Sequence, residues 1–308
     1  MNDILSHLSD RDVKNNLIMK RKIRKAAVKF LDDSGFDEYD TPLLIPSSGE
    51  IYNPVFGVDI DSQGAFLADS PQLCKMMLSF SGFKRYYQFA HCFRPVAHEK
   101  NRETRLCEFM QLDIEMQVSS LAQLTSFAEK MLREIFTYLD LNVSVSRMEG
   151  HDCRNIWGSE MKPDLRTSDI KTSAVIIEHM PLTNGEKTSS GTLIPCHHIF
   201  ALPSLSITST SEKNLINMTT ESFDIVVNGI EVGGGDLRIT DRTLQENVMD
   251  IFDADKSRCL WYLDVLDEYR GAQTGGFAIG LERLIMALSG CSDIRKTAAF
   301  PDLYMRGR

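Results

Sequence analysis

The clearest pattern in the chain lies at residues 108–117, where Met110, Leu112, Ile114 and Met116 alternate with Gln111, Asp113 and Glu115. A period of two belongs to a strand with one face in a core. A longer period runs through about 11–34 (Leu17, Ile18, Ile23, Ala27, Phe30, Leu31) and stops at Gly35, a residue that commonly ends helices. The same reasoning predicts helices at 70–82, 121–139, 243–252, 257–269 and 281–289. It predicts strands at 36–40, 85–93, 142–148 and 275–279. Residues 223–239 read as a hairpin about Asn228 and Gly229, the preferred two-residue type I′ turn. Residues 150–221 read as loop-rich, without a clear order of elements. Adjoining strands with helices outside them imply an α+β fold built on an antiparallel sheet. No repeat, low-complexity tract or linker divides the chain, so a single domain over 1–308 is expected.

Composition changes this picture little. A chain of 308 residues with 43% hydrophobic and 25% charged residues can build a sizeable soluble core. The net charge of -9 argues against a nucleic-acid platform. The one dense basic stripe, Lys20 to Lys25, fits a solvated helix face. Seven cysteines without a Cys-x-x-Cys pair read as reduced thiols, and no window is apolar enough to span a membrane. A cytoplasmic location is expected.

Three segments carry candidate chemistry. In the hairpin, strict pairing sets Val227 against Ile230, Val226 against Glu231 and Asp224 against Gly233. Asp224 and Glu231 then share a face as diagonal neighbours, roughly 7–8 Å apart. Such a pair is either a solvated acidic face or a site for Mg2+ carrying a nucleotide's phosphates. Gly233, Gly234 and Gly235 follow, marking a bulge or the close approach of a ligand. Arg238 falls on the opposite face by strict alternation, so sharing the site requires a bulge. In the second segment, Phe93 and Arg94 lead through a charged loop (His98, Glu99, Lys100, Arg102, Glu103, Arg105) to Phe109 and the polar face of 108–117. That face either meets water or, with the arginine on phosphate and the ring on the base, holds ATP. The third segment, Gly275 to Arg283, places an arginine in the first turn of a helix. A cation there opposes the helix dipole and makes better sense beside phosphate. Neither a Walker loop nor a dinucleotide fingerprint occurs.

These segments resemble motifs 1, 2 and 3 of the class II aminoacyl-tRNA synthetases, motif 1 being the helix and strand that end at Thr41 and Pro42. The resemblance is closest to aspartyl-tRNA synthetases of the bacterial kind and covers nearly the whole chain. It rests also on Ser70 to Lys75, Arg85 to Gln88, Trp157 to Arg166, the pair His197 and His198, and Glu231 to Gly235. It implies a class II sheet flanked by helices, ATP and Mg2+ as cofactors, aspartate as substrate, and a homodimer through motif 1. It further implies that Arg94, Arg105 and Arg283 hold ATP phosphates, Phe109 stacks on adenine, and Asp224 and Glu231 bind Mg2+. Ser70, Gln72 and Asp113 would take the amino acid's ammonium, with Gln111 beside them and Glu50 and His198 in loops that close over it. Lys75 and Arg238 would grip a side-chain carboxylate; two cations in a closed pocket demand an anion, favouring aspartate over asparagine.

The chain departs from that pattern at several places. Neither an anticodon-binding barrel nor a large internal insertion is expected from this sequence. Val96 stands where the family has a glutamate, Asp69 where it has a glutamine, Thr274 a histidine, and Asp236 a serine beside the substrate pocket. The charged motif 2 loop is longer, and the segment after Glu50 lacks the usual closing glycines. These differences point to an altered substrate, a different acceptor or a weaker ATP site. The acceptor expected is ammonia or another amine. A tRNA is compatible but not required, and a non-catalytic regulatory paralogue is the remaining alternative.

Overall fold

The architecture follows from one sheet with two unlike faces. The computed structural model describes residues 2–47, 54–60, 63–96, 103–157, 165–166, 172–205 and 211–301. Its helices are α1 (Asn2–Ser9), α2 (Arg11–Asp33), α3 (Gln72–Phe80), α4 (Leu121–Tyr138), α5 (Gly150–Trp157), α6 (Glu212–Ile216), α7 (Arg242–Ile251), α8 (Leu260–Glu268) and α9 (Leu281–Ser289). The short strands near the N-terminus are β1 (Asp37–Glu38), β2 (Leu44–Ile45), β3 (Gly57–Ile60) and β4 (Gln63–Leu67). They are followed by β5 (Arg85–Phe93), β6 (Glu108–Gln117), β7 (Val143–Glu149), β8 (Thr172–Glu178), β9 (Thr183–Lys187) and β10 (Leu193–Pro195). The strands β11 (Ser222–Val227), β12 (Ile230–Leu237) and β13 (Thr274–Gly280) complete the set.

Among the described residues, eight strands form one sheet in the order β1-β5-β6-β13-β12-β11-β8-β7. Its centre is antiparallel, as expected, but β1 on β5 and β7 on β8 are parallel edges. The stretch 150–221 is more ordered than the sequence suggests. It supplies β8 to the main sheet and pairs β9 with β10. Strand β8 reads Thr-Ser-Ala-Val-Ile-Ile-Glu and is buried almost throughout, so it shows no alternation to mark it. The three-stranded sheet β2-β4-β3 and helix α1 are likewise additions. The segment 257–269 opens as a 3-10 turn before α8.

One face of the sheet meets α2, α4 and α9. Ile23, Ala27 and Leu31 of α2 and Leu124, Met131 and Ile135 of α4 pack with Leu284 and Ile285 of α9. Beneath them lie Met110, Leu112, Ile114 and Met116 of β6. A second core joins α3, α7 and α8 through Leu73, Met76, Val248, Tyr262 and Leu263. These helices stand beside the other face of the sheet and leave its centre open as a cavity floor. No helix among the described residues is long and apolar enough to cross a membrane.

Candidate active site

The floor of the site is made by a bulge and a stripe of glycines. Asn228 and Gly229 take positive φ, 49° and 79°, as a type I′ turn requires. Val227 then faces Ile230 and Val226 faces Glu231, but the register shifts before Ile225, which pairs with Gly233. Asp224 therefore faces Gly234, not Gly233. The extra residue is Val232, which turns into the core. Beyond this bulge the alternation is reset, and Gly234, Asp236 and Arg238 come to the face that carries Asp224 and Glu231. At Gly234 a Cβ would lie 2.9 Å from Oδ1 of Asp224. At Gly276 it would overlap the Glu115 carboxylate and the Ile114 carbonyl. Side chains are missing where carboxylates must lie flat on the sheet.

A cavity of about 1020 Å3 opens over this floor. Ser70, Gln72, Lys75, Arg94, Arg105, Phe109, Gln111, Asp113, His198, Asp224, Glu231, Arg238 and Arg283 all line it. The structure brings these residues together around one cavity. Glu50, residues 97–102 of the charged loop and most of the Trp157 to Arg166 segment lie outside the described residues.

One end of the cavity is closed and densely ion-paired. Nζ of Lys75 is 2.9 Å from Oδ1 of Asp113 and 3.3 Å from Oε1 of Glu115. Arg238 donates to Glu115 through Nε (3.3 Å) and Nη2, and through Nη1 to Oδ1 of Asp236 at 2.6 Å. All five side chains are at most 3% exposed. Lys75 and Arg238 are therefore not a pair of uncompensated cations, as expected above; Glu115 links them and Asp236 adds a third carboxylate. Burial pushes the Asp113 carboxyl up, with Lys75 opposing it. Burial acts the same way on Asp236, but Arg238 and His198 outweigh it and hold that carboxyl well below the usual range. Oδ2 of Asp113 and Nε2 of Gln72 have no partner, and both side chains line the cavity, which leaves an acceptor for an ammonium and a donor for a carbonyl or carboxylate oxygen.

The other end is looser. Nη1 of Arg283 is 3.9 Å from Oε1 of Glu231, with both side chains about one-third exposed. Burial lowers the Arg283 pKa; Glu231 and Asp224 oppose this, whereas the nearby cations Arg105 and Arg94 reinforce it. Three arginines thus converge beside two carboxylates. Arg94 donates Nε to the Asp69 carbonyl at 3.0 Å and lies 5.4 Å from the centre of the Phe109 ring. His197, half of the quoted pair, binds Oδ1 of Asp224 at 2.9 Å. Burial alone would lower its pKa, but the Asp224 carboxylate prevails and raises it to about 9. Among the described residues there is no ready-made cluster of three or more metal-binding side chains. Two half-open carboxylates do suit Mg2+, which keeps waters and shares phosphate oxygens.

Several contributors were missed as site residues. Glu115 and Asp236 were noted only as a polar position and a departure. Glu282 accepts from the Met110 backbone N–H at 2.9 Å and pairs with Nζ of Lys20 at 2.5 Å. It fixes the start of α9, and so the backbone of Arg283, to β6 and α2.

A sheet of this order, with an open arginine cluster and a closed ion-paired pocket in one cavity, has the architecture of a class II synthetase core. The chain belongs to the family of class II tRNA synthetases for D, K and N, whose model matches residues 2–304. That family consists of ATP-dependent ligases that use Mg2+. The chain is 24% identical to the aspartate–tRNA ligase of Bacillus licheniformis, over 93% of this chain and 70% of the relative. It is also 24% identical to the aspartate–tRNA(Asp/Asn) ligase of Bacillus subtilis, over 92% and 70%. The crystal structure of asparaginyl-tRNA synthetase from Pyrococcus horikoshii with asparaginyl-adenylate superposes with a TM-score of 0.75 at 18% identity. It covers 96% of this chain and 70% of that one. The match to the B. licheniformis relative runs over 422 residues, more than this whole chain. Relatives therefore hold residues inside the matched span that have no counterpart here.

Proposed function

We propose that this chain uses ATP to activate an amino acid of the aspartate type as its adenylate, releasing pyrophosphate, and passes the acyl group to an amine rather than to an anticodon-selected tRNA, releasing AMP. The observation that carries the reading is the division of one cavity into a closed, ion-paired pocket and an open cluster of Arg94, Arg105 and Arg283 beside Asp224 and Glu231. In this reading Asp113, Ser70 and Gln72 hold the ammonium, which turns the α-carboxylate toward the α-phosphate. The carboxylate is already ionised, so no general base is needed; alignment and phosphate charge stabilisation supply the catalysis. The three arginines take the phosphate charge, and Phe109 offers its ring to adenine. When bound at Asp224 and Glu231, Mg2+ would neutralise phosphate charge. The absent internal residues support a small acceptor.

A second reading, acylation of a tRNA without anticodon selection, is favoured by the family match. The deciding test is amino-acid-dependent ATP–pyrophosphate exchange by the purified chain without tRNA. Exchange with aspartate or asparagine is expected. Its absence with every amino acid, restored only by adding tRNA, would overturn the tRNA-independent reading. Sedimentation of the purified chain tests the dimer that the resemblance implies.

A further inference from the structure

Asp236 is fully buried near the end of β12, two residues before Arg238, which follows the strand directly. Where the resemblance would set an uncharged serine, a carboxylate sits on the arginine expected to receive the substrate's side chain. Two cations, Lys75 and Arg238, meet three carboxylates, Asp113, Glu115 and Asp236, in a region almost shut off from water. His198, His197 and the phenols of Tyr86 and Tyr262 are further titratable groups acting on this end. A substrate carboxylate beside Arg238 would be the fourth anion of this cluster, on a guanidinium already flanked by two. Its lost hydration would not be recovered.

Hydrogen-bonding capacity survives where charge does not. A guanidinium has five N–H groups, and the carboxylates here engage one on each nitrogen. Arg238 can still donate to a neutral carbonyl oxygen. Beside it, Nε2 of His198 lies 2.8 Å from Oδ2 of Asp236 and 3.2 Å from Nη1 of Arg238, while the buried Nδ1 has no partner and the ring lines the cavity. The carboxylate is the nearer of the two and favours the proton on Nε2, which leaves Nδ1 as an acceptor. A donor and an acceptor side by side match a carboxamide, whereas a carboxylate offers acceptors only.

We infer that Asp236, acting through Arg238 and His198, converts this end of the cavity from an anion site into a carboxamide site. The amino acid activated then carries a neutral side-chain amide in preference to a second carboxylate. Asp236 is a positioning residue in this scheme, and the inference rests on the adenylation reading above.

The test is titration calorimetry of the full chain with two non-hydrolysable sulfamoyl analogues, of asparaginyl- and of aspartyl-adenylate, each in buffers of different ionisation enthalpy. The asparaginyl analogue should bind at least about tenfold more tightly. The aspartyl analogue should take up a proton on binding and tighten as pH falls, a signature that a merely structural role of Asp236 would not give. Asp236→Ser should reverse the order. Asp236→Asn keeps the shape without the charge; should the serine variant fold poorly, it should still gain about tenfold for the aspartyl analogue and lose the proton uptake. Tighter aspartyl binding by the unmodified chain, without proton uptake, would overturn this inference and leave adenylation standing. Binding of neither analogue to the folded chain would overturn both.

Discussion

The two ends of the cavity are built from the same kinds of side chain and behave in opposite ways. At the closed end every charge is buried and paired: Lys75, Arg238, Asp113, Glu115 and Asp236 hold one another within hydrogen-bond distance. At the open end Arg283 and Glu231 stand 3.9 Å apart and half-open, and neighbouring arginines repel. A pocket that discriminates needs charges fixed before the ligand arrives, because selectivity comes from what a wrong ligand leaves unpaired. A site that stabilises phosphate charge needs cations still waiting for an anion. The closed end is thus coupled to folding, and the open end is not.

That contrast breaks most sharply at Glu115. Glu115→Ala removes the shared partner of two buried cations, and should cost about 3–5 kcal/mol of stability in denaturant unfolding and abolish exchange activity. Arg283→Ala should leave unfolding nearly unchanged but lower kcat/KM in ATP–pyrophosphate exchange by about a hundredfold or more. If Arg283→Ala were as destabilising as Glu115→Ala, the proposed division between the ends would be wrong. Gly276→Ala leaves all charges in place and crowds the Glu115 carboxylate, so about 1–3 kcal/mol of stability should go, read by the shift of the urea midpoint. The smallest effect concerns acid stability. The carboxyl of Asp236 titrates below its unfolded value, so its contribution is complete above about pH 4 and fades as pH falls further. Stability measured from pH 5 down to 3 should therefore fall less steeply in Asp236→Asn than in the unmodified chain.

The elements that the sequence revealed are those with one wet or ligand-facing side. The alternation in β6 is readable because Met110, Leu112, Ile114 and Met116 face a helix layer while Gln111 and Asp113 face the cavity. The Asn228–Gly229 turn was readable from its φ demands, and the position of Arg238 required a bulge, which the structure supplies at Val232. Strand β8 was unreadable because both its faces are buried. The pairing of Lys75 and Arg238 was unreadable for another reason. Their partners lie 38 and 123 residues away, and no local period reports which distant carboxylate will meet a cation. The extra charge of Asp236 was visible as a residue, but its meaning depended on Glu115 already holding the same guanidinium.

Glu282 has a consequence of a mechanical kind. One carboxylate ties the ammonium of Lys20, on the outer helix α2, to the backbone of β6 at Met110, and the next residue along is Arg283. Lys20, at the head of the basic stripe, and the start of α9 at Arg283 are therefore joined through one carboxylate, so the outer helix and the cavity share a single anchoring side chain.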